Sequence, residues 1–163
     1  MLTQEYLKSI LDYDCETGIF KWKVSNSPRV KIGDITGCLH HTGYLFIRIN
    51  KKQYLAHRLA WLYVNGNWPK DMIDHIDGIR NNNKISNLRQ ASRTENQQNS
   101  KLSKRNTSGI KGISWHKASK KWQVAFKING KSKTFGYFND LELAELVVNE
   151  ARLKYHGNFA RAI

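Results

Sequence analysis

From Asn96 to Ser108 the chain reads NQQNSKLSKRNTS, a polar and basic run holding a single leucine. A core cannot be carried through such a stretch, because too little apolar surface is available to offset the entropy lost on ordering it. A chain of 163 residues is long enough for one medium domain or two small ones, and this run favours two. The expected division is a first module over residues 1–99, a basic linker over 100–108 and a second module over 109–163. Within the linker, Lys101, Lys104 and Arg105 read in two ways, as grips on phosphates along a polyanion or as charges that keep a connector solvated. Both readings stand.

The second module has the clearer pattern. GIKGISWHK places Ile113 and Trp115 on one side, KKWQVAFKI alternates Trp122, Val124, Phe126 and Ile128, and KSKTFGYF supplies a third strand. Asn129-Gly130 between the last two is a strong signal for a type I′ hairpin. NDLELAELVVNEARLKYHG is amphipathic at helical spacing, with Ala144, Val147, Val148, Ala151 and Tyr155 on one stripe. Asn139 and Glu142 have the form of a capping box, and Gly157 suits a helix end. The module is therefore three antiparallel strands and one helix. One helix covers one face of such a sheet, and about 55 residues leave nothing for the other. That outward face carries Lys111, Ser114, His116, Gln123, Lys127, Ser132 and Thr134. These side chains are basic or polar and long enough to meet base edges in a major groove; the alternative is an ordinary solvated face.

The first module opens with a helix from TQEYLKSILDYD, with Tyr6, Leu7, Ile10 and Leu11 on one face and Thr3 as N-cap. A turn at Thr17-Gly18 leads into a strand alternating Phe20, Trp22 and Val24. GYLFIRINKKQYLAHRLAWLYVNG reads as a hairpin around Asn50-Lys51-Lys52, then a helix carrying Leu59, Leu62 and Tyr63 and stopped by Gly66. His57, near the start of that helix, is either a packed histidine or a contact to a site nearby. After Trp68-Pro69 comes MIDHIDGIRNNN, where Ile73 and Ile76 anchor a strand that presents Asp74 and His75. The three asparagines read as loop, and Asp77 reads as a turn residue before Gly78 or as a ligand. A second short strand, KISNLRQAS, carries Asn87, and the Ser-x-x-Glu form of Ser92 to Glu95 starts a helix with Asn96 in its first turn.

Charge indicates the partner. The 27 Lys and Arg against 13 Asp and Glu give a net charge of +14, a surplus that favours nucleic acid over anionic lipid or a merely basic protein. No apolar run is long enough to span a membrane, and the N-terminus lacks the basic start and apolar stretch of a signal peptide. The expected location is therefore the cytoplasm. Cys15 and Cys38 form no CxxC pair, which excludes a four-cysteine structural zinc and favours two thiols over a lone disulfide.

DHIDGIRNNNKISNLRQASRTEN resembles the HNH, or ββα-metal, nuclease motif. It is most similar to the form found in phage and group I intron homing endonucleases, where asparagine replaces the last histidine. Eleven residues separate His75 from Asn87 and eight separate Asn87 from Asn96, as in that family. The resemblance extends back through AHRLAWLYVNG and covers roughly residues 44 to 99. The second module, through the Gly112 turn, Trp122, TFGYF and EARLKYHG, resembles the Apetala-two type DNA-binding domain of plant ethylene-response factors. It departs from that pattern at the base-reading positions. Those are rich in arginine in the plant proteins but are Ser114, His116, Lys127, Ser132 and Thr134 here, so the plant target sequence does not carry over.

The fold class implied is α+β, a ββα-metal module followed by a three-stranded antiparallel sheet packed on one helix. The first resemblance implies His75 as general base and Asn87 as the residue that holds its loop. It also implies Asp74 and Asn96 as oxygen ligands of one Mg²⁺ or Mn²⁺, with no structural zinc. The substrate expected is duplex DNA, met by a monomer with one active centre that nicks one strand in the cell hosting a phage or mobile element. The alternative is a DNA-binding regulator built on a relict nuclease fold.

Overall fold

The computed structural model of the chain describes residues 1–25, 27–100, 102–103, 105–128 and 130–157. Among them every strand pairing is antiparallel, in four small sheets with helices alongside, so the class is α+β as expected. The chain divides into two compact units, Met1–Ser92 and Arg93–Ile163. Among the described residues no helix is long and apolar enough to cross a membrane.

The first unit starts with α1 (Gln4–Ile10), where the Thr3 hydroxyl accepts from the Tyr6 amide at 3.3 Å. The helix passes straight into β1 (Leu11–Asp14), so Leu11 continues the apolar face as a strand residue, and Tyr6 stays on the surface. β1 pairs with β2 (Ile19–Trp22), and β2 with β3 (Ile35–Thr36). Alternation puts Leu11, Tyr13, Phe20 and Trp22 in the core and Asp12 and Asp14 outside. A second sheet joins β4 (Cys38–Leu39), β5 (Leu45–Ile49) and β6 (Lys52–Leu55). Its hairpin turns through Asn50 and Lys51, both at left-handed φ (48° and 64°), as a type I′ turn demands.

α2 (Ala56–Asn65) buries Ala56, Leu59, Ala60 and Leu62 on one stripe and stops at Gly66, whose amide closes on the Leu62 carbonyl at φ 78°. All of this packs into one core with Leu7, Ile47, Ile49, Ile73 and Leu88. The last sheet of the unit is the pair β7 (Met72–His75) and β8 (Leu88–Ala91), joined by a loop and a 3-10 turn (Ile85–Asn87). Asn87 thus precedes the second strand rather than lying in it. Ile73 anchors β7 from the core, whereas Ile76 lies beyond the strand end and is exposed. Cys15 and Cys38 are free thiols.

The second unit begins with α3 (Arg93–Gln98). Its sheet, β11-β10-β9, is formed by β9 (Ile113–His116), β10 (Lys121–Ile128) and β11 (Lys131–Phe138), and α4 (Leu141–His156) covers one face. Ile113, Val124, Ala144 and Val148 form the buried centre, ringed by Trp122, Phe126, Phe135 and Phe138. Gly112 permits this close packing, since at φ 90° a Cβ there would lie 2.9 Å from a Val148 methyl. The α4 N-cap is Asp140, one residue later than the pattern suggested, accepting from the Glu142 amide at 2.7 Å. Trp115 faces the α4 side edge-on to Trp122, but at the sheet margin it stays 44% exposed.

Candidate active site and nucleic-acid face

The β7–β8 pair sets Asp74 opposite Arg89 and His75 opposite Leu88. Asp74 and His75 are both buried, an expensive placement for ionisable groups unless each is compensated. For Asp74 the compensation is an ion pair. Its Oδ2 accepts from Arg89 Nε at 2.9 Å and lies 2.8 Å from the second guanidinium nitrogen.

His75 is turned by Asn83, whose Oδ1 lies 3.4 Å from His75 Nε2. With the Asn83 amide so assigned, the proton sits on Nε2 and Nδ1 is the lone-pair nitrogen. Burial lowers the pKa of His75 below its ordinary value, against the opposing pull of Asn83, Asp77 and Asp74. The neutral, proton-accepting form therefore prevails at neutral pH. Asn83 is only 1% exposed, and its carbonyl accepts from the Tyr13 hydroxyl at 2.6 Å. The third asparagine of the run is thus buried beside the histidine, a role its loop-like sequence did not signal.

Asn87 bonds to the loop that follows β7. Its Oδ1 accepts from the Asp77 amide at 3.0 Å, and its Nδ2 donates to Asp77 Oδ1 at 3.0 Å and to the Asn82 carbonyl at 2.9 Å. Its own carbonyl accepts from the Ile76 amide at 2.9 Å. Asp77 is a turn residue here, accepting from the Ile79 amide at 2.7 Å and from Asn82 Nδ2 at 2.6 Å. Burial alone would raise its pKa, yet these hydrogen bonds outweigh burial and hold the carboxyl below the usual range.

Two further rings crowd the histidine. His57, on α2, packs edge-on to His75 with ring centres 5.0 Å apart, and Tyr44, just before β5, lies 5.3 Å from His57 and 6.0 Å from His75. His57 is 5% exposed and its Nδ1 has no hydrogen-bond partner among the described residues. Burial, then the nearby His75 and Arg58, pushes its pKa down to about 3, so it is a neutral packed ring at ordinary pH. The exposed Arg80 guanidinium stacks on Tyr44 at 5.1 Å and donates to the Thr42 carbonyl at 2.8 Å. It places a positive charge near His75. Neither Tyr44 nor Arg80 carries a spacing signal that would have revealed this.

A hard divalent cation is what the motif implies. Among the described residues no group of three or more His, Cys, Asp or Glu side chains could hold a metal. In the first unit the oxygen donor that the motif implies is the Asp74 carboxylate, whose charge Arg89 already balances. That donor chemistry fits Mg²⁺ or Mn²⁺ in a set completed by an amide carbonyl, phosphate oxygens and water, which is how Mg²⁺ is usually bound. Asn96 lies on α3 in the second unit and is half-buried there.

On the second unit, ladder register puts Ser114, Gln123 and Tyr137 in one row of the outer face, with Lys127 opposite Ser132 and Thr134 opposite Ala125. His116, paired with Lys121, shares that face. Gln123 Nε2 donates to the Thr134 hydroxyl at 3.2 Å and the Tyr137 hydroxyl at 3.3 Å, and His116 packs edge-on to Tyr137. Tyr137, 45% exposed, is the member the sequence reading missed. A bulge at Val124/Ala125 shifts the pairing by one residue, turning Tyr137 outward and Phe138 inward. Lys111 does not share the sheet face. It precedes β9, and its ammonium donates to the carbonyls of Gln98 at 2.7 Å and Ser100 at 2.6 Å. Arg105 lies exposed on the connector, whereas Lys101 and Lys104 fall outside the described residues.

A family model described as HNH endonuclease matches residues 54–98. Protein 3.8 of Escherichia phage T7 is 41% identical over 106 residues, spanning 64% of this chain and 87% of that protein. No solved structure matches the chain. The chain carries an HNH endonuclease domain at residues 54–98 and belongs to the family of phage T7 protein 3.8.

Proposed function

We propose that the protein is a site-specific DNA endonuclease of the homing type, hydrolysing phosphodiester bonds of duplex DNA. The observation that carries this reading is His75, buried at the end of β7, held by Asn83 through Nε2, and neutral. Such an imidazole can take a proton from an attacking water. Asn87 supports it by fixing the loop after β7, not by moving protons. Arg80 adds positive charge near the place where the phosphate would develop more negative charge. Asp74, with Asn96 by family likeness, would hold one Mg²⁺ or Mn²⁺. When bound, such an ion neutralises charge on the phosphate and on the departing 3′ oxygen.

Residues 1–99 are then the nuclease module, 100–108 a basic connector and 109–163 an Apetala-two type reader. Ser114, His116, Gln123, Lys127, Ser132 and Thr134, joined by Tyr137, would be its groove-facing residues. Lys101, Lys104 and Arg105 would grip backbone phosphates beside it, with Lys111 supporting α3. One HNH motif gives one active centre, so a monomer nicks one strand. The phage relative supports action inside an infected host cell.

The test is to map cleavage ends on randomised duplex DNA with Mg²⁺ or Mn²⁺. We expect discrete nicks that His75→Ala slows by about 10²-fold or more while DNA affinity is retained. Undiminished cutting by His75→Ala would refute the mechanism. Salt-sensitive binding with no cut at any divalent metal would instead favour a regulator on a relict fold.

A further inference from the structure

The ion pair at Asp74 conflicts with a carboxylate that has to hold a metal. Asp74 and Arg89 face each other across the β7–β8 ladder, with Asp74 Oδ2 at 2.9 Å from Arg89 Nε and 2.8 Å from a terminal guanidinium nitrogen. The carboxylate is 5% exposed and the guanidinium 17%. A carboxylate this buried needs a counter-charge, and Arg89 supplies it in the protein alone. A divalent cation on the same carboxylate would sit within a few ångströms of the guanidinium, in a pocket where like charges repel strongly. The two cations are therefore competitors.

DNA supplies a way out. A guanidinium matches a phosphate as well as it matches a carboxylate, often with two parallel hydrogen bonds. Arg89 is the more exposed partner, on a side chain long enough to turn toward a phosphodiester laid over the site. We propose that Arg89 is the counter-ion of Asp74 only while DNA is absent and passes to a DNA phosphate on binding. Asp74 then takes its divalent cation in the complex and not before. This rests on the reading of Asp74 as a metal ligand. It makes metal and DNA binding mutually reinforcing, by the same factor in either direction.

The experiment titrates Mn²⁺ into the full chain without DNA, by calorimetry, and follows the thermal shift that Mn²⁺ produces. Arg89→Gln should bind Mn²⁺ about tenfold more tightly than wild type, since one charge-assisted pair no longer has to be broken. It should also be stabilised by Mn²⁺ where wild type is not. Equal affinity and equal thermal shift in the two proteins overturn the hand-over. Should Arg89→Gln fail to fold, Arg89→Lys keeps the charge but loses the two-point hold. It should gain about threefold, and an unchanged affinity is again fatal. The double variant Asp74→Asn/Arg89→Gln separates the two layers. If it retains the tightened Mn²⁺ site, Asp74 is not the ligand and the underlying reading fails with the proposal. If the site is lost, the gain seen in Arg89→Gln belongs to Asp74, and the hand-over stands.

Discussion

The polar residues of the β7–β8 loop region and those of the outer β9–β11 face are deployed in opposite ways. In the first, they are buried or half-buried and locked to one another: Asp74 to Arg89, His75 to Asn83, Asp77 to Asn82 and Asn87. On the second, they are exposed, and several share only surface hydrogen bonds, as Gln123 does with Thr134 and Tyr137. A buried network, fully paired, fixes geometry to a fraction of an ångström and is costly to disturb. An exposed set keeps its rotamers and adapts to what it meets. Chemistry needs the former, and contact with a long polymer is served by the latter.

The largest effect that would test this contrast is expected at Gly18. It sits at φ 73° in the β1–β2 turn, and a Cβ there would fall 2.5 Å from the backbone of Asn83 and Lys84. Gly18→Ala should destabilise the first unit by about 3 kcal/mol or more and abolish cutting, because the loop that holds His75 must move. Thermal denaturation and a nicking assay check this; a normal melting point and rate would show the network to be more yielding than described.

An intermediate effect follows from acid. The folded pKa of His57, about 3, lies below its unfolded value, so on acidification the unfolded chain binds the proton first. Its contribution to stability is complete above about pH 6.5 and declines as pH falls toward the folded value. Between pH 7 and 5 the loss should be about 2 kcal/mol, with His75 adding in the same direction. Denaturant titrations against pH read this directly. His57→Phe should flatten the curve; an unchanged slope in that variant would show that His57 does not carry it.

The smallest effects belong to the outer face. Gln123→Ala or Thr134→Ala should leave stability within about 0.5 kcal/mol and weaken DNA binding by about 1 kcal/mol each. Lys127→Ala should reduce the slope of log affinity against log salt by about 1. Loss of folding in any of these variants would remove the distinction between the two surfaces.

The same contrast explains what could be read in advance. The strand–loop–strand placement of Asp74, His75 and Asn87 was legible because local pattern fixes their spacing along the chain, and the outward row of the second sheet followed from period-two alternation. Asn83 was not legible as more than loop, because its burial depends on Tyr13, 70 positions away. Arg89 as partner of Asp74 required the β7–β8 register, and Tyr44 reaches His75 only through tertiary packing. Tyr137 was missed because one bulged residue reverses the faces of a strand. Local pattern locates the ionisable groups, while long-range packing chooses their supports.

The contact of the Gly18 turn on the Asn83 backbone bears on how portable the motif is. The stretch that matches the HNH family, residues 54–98, contains neither Tyr13 nor Gly18. A peptide cut to those limits, or spliced into another scaffold, would keep every signature residue and lose the surface against which Asn83 is set. The smallest unit that can be transplanted with its histidine correctly aimed therefore begins at the N-terminal hairpin, well upstream of where the match to the family model begins.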